Sequence, residues 1–194
     1  DLRVQFPTRT GIVDAVRGVS FTLGRERLGI VGESGSGKSQ TGRPIMGLTP
    51  PHGKITAEPL NFDGVGLLDI SAAERRALRG NRIAMILQDP KYSLNPVMSI
   101  GRQIVETLRT HEKVSRAEAR KRAPDMLAAV QIRDAERVYD LHPHEVSGGM
   151  GQRAMIAMML ITGPELLIAD EPTSALDVTV QLDVLRILDD LVRD

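Results

Sequence analysis

The chain has 194 residues, 41% hydrophobic and 26% charged, the balance of one ordinary globular domain with a single sizeable core and room for a small insertion. Its 25 Lys and Arg match 25 Asp and Glu, so the net charge is zero, which argues against a general nucleic-acid binder, a class that is normally basic. There is no cysteine, which excludes disulfides, thiolate zinc sites and cysteine nucleophiles; with 3% aromatics, the core must rest on Leu, Ile, Val, Met and Ala.

From the N-terminus, short β-type runs alternate with turns: Leu2 to Phe6, Gly18 to Leu23 and Leu28 to Val31. The third run ends in a glycine-rich loop, and a helix is expected from Lys38 to Leu48, kinked at Pro44. Ser71 and Glu74 have capping-box spacing, which predicts a short helix over 72–79. Ile83 to Leu87 reads as a buried strand. Helix is expected between Ser99 and Tyr139, where Ile100, Ile104 and Leu108 recur on one face and Ser115 and Glu118 form a second capping box. Pro124 should break this stretch into separate helices.

Ser147-Gly148-Gly149 then opens a helix that Gly163-Pro164 closes. Leu166 to Ala169 is a short apolar strand, and a last helix starts near Val178 with Val184, Leu188 and Leu191 on one face. The longest apolar run, Ala154 to Ile161, is far short of the about 20 residues that span a bilayer. The chain starts at Asp1 and stops at Asp194 inside a helical pattern, so it is expected to be a stretch of a longer protein. Strand and helix alternate at both ends around a helical middle. The expected fold is therefore α/β, with a parallel core and an inserted helical subdomain. Its parts are 1–90, 91–145 and 146–194.

Two segments carry chemistry. Gly32-Glu33-Ser34-Gly35-Ser36-Gly37-Lys38-Ser39 matches G-x-x-x-x-G-K-[ST] without a gap, after a strand and before a helix, with Gln40 directly behind it. The glycines let backbone N–H groups curl inward to cradle phosphates at a helix N-terminus. Lys38 supplies positive charge to the β- and γ-phosphates, and the Ser39 hydroxyl suits Mg²⁺. A glycine-rich turn need not bind anything, but the full match in the right context points to a nucleotide. Downstream, the strand Leu166 to Ala169 delivers Asp170 and Glu171 at its tip, where Pro172 stops it. Beside a phosphate loop, such an Asp holds Mg²⁺ and the adjacent Glu can act as general base on the attacking water.

Val146-Ser147-Gly148-Gly149-Met150 resembles the ABC signature Leu-Ser-Gly-Gly-Gln, with Val146 and Met150 as departures and Gly151 where Arg is common. Together with Gln88-Asp89-Pro90, Ser93-Leu94-Asn95-Pro96, Ile168-Ala169-Asp170-Glu171-Pro172 and Leu176-Asp177-Val178-Thr179-Val180-Gln181, the set is similar to the ATP-binding subunits of ABC importers for oligopeptides and dipeptides. That branch also serves nickel, opine-metal and glutathione uptake.

The resemblance implies a P-loop NTPase (RecA-like) core, an N-terminal antiparallel β region, and two such subunits closing head to tail on two ATPs. Ser147, Gly148 and Gly149 would then face the γ-phosphate held by the partner subunit. Gln88 looks like the Q-loop glutamine, near Mg²⁺ and the attacking water. Asp177 ends the D-loop stretch Ser174-Ala175-Leu176-Asp177. Phe6 stands 26 residues before Gly32, where an aromatic stacks on adenine in the family, although a lone Phe on a β-run also suits the core. The switch histidine of the family is expected beyond Asp194.

The implied partners are a second ABC ATPase, membrane permease subunits contacted through residues near Tyr92 to Ile104, and indirectly a solute-binding protein. The implied place is the cytoplasmic face of a bacterial membrane. The competing reading is a soluble ABC ATPase acting on nucleic acid in repair or translation. It lacks the basic or coiled-coil insertions those proteins carry. His142 and His144 are read as loop residues rather than metal ligands, and Met155, Met158 and Met159 as core filling.

Overall fold

The computed structural model describes residues 1–87, 93–173 and 178–191, with Thr179 and Leu191 described by backbone alone. It divides into two compact units, Asp1–Arg76 and Ala77–Asp194.

In the first unit, β1 (Leu2–Thr8) and β2 (Gly11–Val19) form an antiparallel hairpin, and β3 (Lys54–Thr56) pairs with the other edge of β1. The Thr8 hydroxyl donates to the Gly11 carbonyl at 2.8 Å and closes the hairpin turn. Period-2 alternation puts Leu2, Val4 and Val16 on a small shared core, with Phe6, Ile55 and Ala57 packed against it. Helix α1 (Lys38–Met46) follows the glycine-rich loop and ends on Gly47 in the left-handed conformation. Pro44 lies inside it and the helix continues only two residues further. A minimal hairpin, β4 (Asn61–Phe62) with β5 (Val65–Gly66), precedes α2 (Ala72–Leu78). The expected capping box starts α2: the Glu74 amide donates to Ser71 Oγ at 3.2 Å, and the Ser71 amide donates to the Glu74 carboxylate at 2.8 Å.

Two expected strands differ. The second strand begins at Gly11, seven residues before the expected start at Gly18, and ends at Val19. Leu28 to Val31 forms no strand at all, and Val31 is 96% exposed. An apolar run becomes a strand only where a neighbour completes its ladder. The β2–β1–β3 sheet has no pairing with residues 28–31.

The second unit is built around one large core. Strands β6 (Ile83–Ile86) and β7 (Leu166–Ala169) pair in parallel, from Ile83 opposite Leu166 to Ile86 opposite Ala169. Helices α3 (Ile100–His111), α4 (Arg116–Ala129) and α5 (Ala135–Asp140) follow β6. Then come a 3-10 turn (Pro143–Glu145), α6 (Gly148–Leu160) and, after β7, α7 (Val178–Leu191). Ile100, Ile104 and Leu108 point inward from α3, Leu127 from α4, Met155 and Ile156 from α6, and Val184 and Ile187 from α7. Each such side chain contributes about 1.5–3 kcal/mol through burial.

α3 and α5 approach so closely that a Cβ on Gly101 would fall 1.9 Å from the Tyr139 ring. Pro124 does not break the helical stretch. It sits buried inside α4 beside Ala123 and Leu127, and the breaks fall at 112–115 and 130–134. The apolar face it helps to bury offsets the one backbone hydrogen bond that proline removes.

Candidate functional site

In the first unit the phosphate loop turns into α1 through two glycines in the left-handed region, Gly35 at φ 80° and Gly37 at φ 97°. A side chain at Gly37 is doubly excluded, because its Cβ would meet the Ala15 carbonyl oxygen at 2.2 Å. The loop backbone therefore lies against β2, and α1 starts at Lys38 with no side-chain cap and no acid in its first turn. A helix N-terminus of that kind favours an anion. Lys38 Nζ donates to the Gly32 and Glu33 carbonyls, each at 2.9 Å, so the ammonium is held at the loop. Gly32 to Ser36 are exposed, and Gly37 to Gln40 are half-buried.

Gln40 Oε1 is buried without a hydrogen-bond partner, an acceptor left over beside the cradle. Phe6 stands on β1, half-buried, with its edge toward His52 at 5.6 Å between ring centroids. It therefore belongs to the small sheet core as well as being the aromatic expected near a base.

In the second unit β7 delivers its carboxylates as expected. The Asp170 amide donates to the Ile86 carbonyl at 2.9 Å, extending the parallel ladder by one residue. Asp170 is half-buried and Glu171 is exposed. Glu171 has φ 47°, a left-handed conformation that non-glycine residues adopt rarely and that clusters at functional turns.

Ser147 is the N-cap of α6, its hydroxyl oxygen accepting the Met150 N–H at 3.3 Å. Ser147 and Gly148 are exposed at this helix N-terminus, where an anion would meet them. Gly149 has a packing reason as well, since a Cβ there would lie 2.9 Å from Val180 Cγ1 of α7. Ahead of the helix, Glu145 accepts from the His142 amide at 2.7 Å and from His142 Nδ1 at 3.1 Å. These bonds hold the Glu145 carboxyl below its ordinary value. His144 sits in the 3-10 turn and His142 caps its start.

Gln88 and Asp177 lie outside the described residues. Two residues that the motifs did not single out emerge from the geometry. Gln152 on α6 is 1% exposed and donates from Nε2 to the Pro172 carbonyl at 2.6 Å. Arg153 pairs with Asp183 of α7 at 3.1 Å and donates to the Gln131 carbonyl at 3.0 Å. The signal for both was a Gln-Arg pair interrupting an otherwise apolar helix; polar groups there must find partners.

Residues 16–174 match the family model described as ABC transporter. A probable peptide ABC transporter ATP-binding protein of Sinorhizobium fredii is 52% identical over 193 residues, which is 98% of this chain and 58% of that protein. The oligopeptide transport ATP-binding protein OppD of Salmonella typhimurium is 50% identical over 195 residues, 100% of this chain and 58% of that protein. The chain thus spans 58% of the length of each of these two relatives. Among solved structures, a dimeric ATP-binding cassette in a post-hydrolysis state, bound to ADP and Pi, superposes with a TM-score of 0.82 at 26% identity. The match covers 99% of this chain and 83% of the other.

Proposed function

The chain belongs to the ABC transporter family, and from that premise we propose that it is the ATP-binding and ATP-hydrolysing part of a membrane importer for dipeptides, oligopeptides or related small solutes. The observation that carries the nucleotide reading is the phosphate loop. Gly37 in the left-handed region, Lys38 folded onto the loop carbonyls and the uncapped start of α1 make a cradle suited to phosphates. The names of the two relatives supply the solute class. Among the described residues no helix is long and apolar enough to cross a membrane. On this reading permease subunits are the membrane partners.

The chemistry follows from the residues. The loop amides and Lys38 hold the β- and γ-phosphates. Glu171 accepts a proton from water as its oxygen attacks the γ-phosphorus, and ADP and phosphate leave. Ser39 and Asp170 offer a hydroxyl and a carboxylate, hard oxygen donors that fit Mg²⁺. Gln88 joins them by resemblance, and the ion when bound neutralises charge on the phosphates. Ser147, Gly148 and Gly149 donate to the γ-phosphate on a second ABC subunit, so one chain holds two half-sites. Phe6 stacks on adenine and Asp177 reports across the dimer in the same scheme, and residues 91–145 form the arm that meets the permease.

The test is affinity purification of the full-length Glu171→Gln protein with ATP from detergent-solubilised membranes, followed by mass spectrometry. A co-purifying multi-span permease is the expected result. Recovery of ribosomes or repair proteins without a permease would overturn the transport reading and leave the ATPase reading standing.

A further inference from the structure

Helix α6 runs from the exposed Ser147 cap into the core, where Ala154, Met155, Ile156 and Ala157 are fully buried. Gln152 is the exception on this face, a 1%-exposed amide among apolar neighbours. Its Nε2 reaches the Pro172 carbonyl at 2.6 Å. The next carbonyl along, Thr173, accepts from Gln181 Nε2 of α7 at 3.1 Å. Two helices thus hold two successive carbonyls of the turn that leaves Glu171, and Glu171 itself is in the left-handed conformation at φ 47°. Such a backbone persists where its surroundings over-determine it. A directional bond from a fully buried amide is a means of doing so, because a buried amide tolerates little loss of its acceptor.

We propose that Gln152 is a positioning residue for hydrolysis: by anchoring the Pro172 carbonyl it fixes the turn that aims the Glu171 carboxylate at the attacking water. The proposal rests on the reading of Glu171 as the general base. Gln152 is buried and bonded to the Pro172 carbonyl, so on this proposal it acts through the turn. The residue that opens α6 toward a partner's phosphate and the residue that aims this chain's own carboxylate therefore stand on one helix, and Gln181 supports the same turn from a second one.

The experiment compares full-length wild type, Gln152→Met, Glu171→Gln and the double variant for ATP affinity, turnover and thermal stability. Methionine keeps the volume and removes the donor. Turnover of Gln152→Met is expected to fall about tenfold or more with ATP affinity within about twofold, the pattern of an interaction made at the transition state. In the Glu171→Gln background the same change should cost less than about twofold, because the group it positions has lost its role.

Gln152→Met with wild-type turnover overturns the positioning role, as does a loss that multiplies unchanged onto Glu171→Gln or that tracks a parallel loss of ATP affinity. Glu171→Gln with wild-type turnover overturns instead the reading on which the proposal rests. Should Gln152→Met fail to fold, Gln181→Ala decides: a non-additive fall in turnover of about threefold supports the turn, and wild-type turnover sinks it.

Discussion

In the first unit the phosphate loop lies on the surface against a hairpin whose core is Leu2, Val4 and Val16, and its shape is enforced from within by Gly35, Gly37 and the Lys38 amine. In the second unit the turn at Glu171 has no glycine. It is held from outside, by Gln152 and Gln181 on helices anchored in a core of some twenty buried side chains. A site shaped by its own backbone fails when a loop residue changes. A site shaped by its neighbours fails when distant packing changes. The phosphate loop and the Glu171 turn should therefore differ in which substitutions damage them, and the following changes break or sharpen that contrast.

The largest expected effect is in the core. Leu127→Ala, with no exposed surface at that position, should lower stability by about 2–5 kcal/mol in chemical denaturation. ATP affinity under native conditions should stay close to wild type. An equal loss of affinity would show that the phosphate loop depends on the second core after all.

Gly37→Ala comes next. The clash with the Ala15 carbonyl and the left-handed φ together should cost about 2–3 kcal/mol at the loop, read as weakened ATP binding by calorimetry. Wild-type affinity would mean that the loop has freedom its geometry denies.

Gly151→Ala is smaller and of opposite sign. The helical glycine has open space where a Cβ would go, so alanine should stabilise by about 0.5–1 kcal/mol. A destabilisation would show that α6 tolerates no added atom one residue before Gln152.

The smallest effect concerns the turn before the signature helix. The Glu145 carboxyl is depressed by the His142 bonds. Its contribution is therefore present above the ordinary carboxylate range and lost as pH falls through the lowered folded value. The stability difference between wild type and Glu145→Ala should be present near neutrality and vanish on acidification as the carboxyl takes up its proton. A difference that grows on acidification would reverse the sign of the argument.

What was legible in the sequence follows the same division. The phosphate loop, the Ser71–Glu74 cap and the Ser147 start of α6 are local devices, each complete within a few residues, and all three stand where the sequence puts them. Strand β7 was legible as well, because its apolar run ends abruptly in two acids. Leu28 to Val31 reads as a strand from its short apolar run before a glycine-rich loop but has no ladder, and pairing is a property of the neighbour rather than of the run. β2 was misplaced because its Ile12 and Val13 face solvent at 69% and 51% exposure, which removes the alternation that marks a half-buried strand. Pro124 broke a local rule that tertiary packing overrides. Gln152 belonged to no motif as read, since its role is set by a carbonyl twenty residues away in sequence.

The most direct test is ATP binding and hydrolysis measured side by side on the Glu171→Gln protein. The account predicts that binding at the phosphate loop is preserved while turnover falls about 100-fold or more. Turnover at the wild-type rate would contradict it, because the carboxylate presented at φ 47° would then not be the one that activates water.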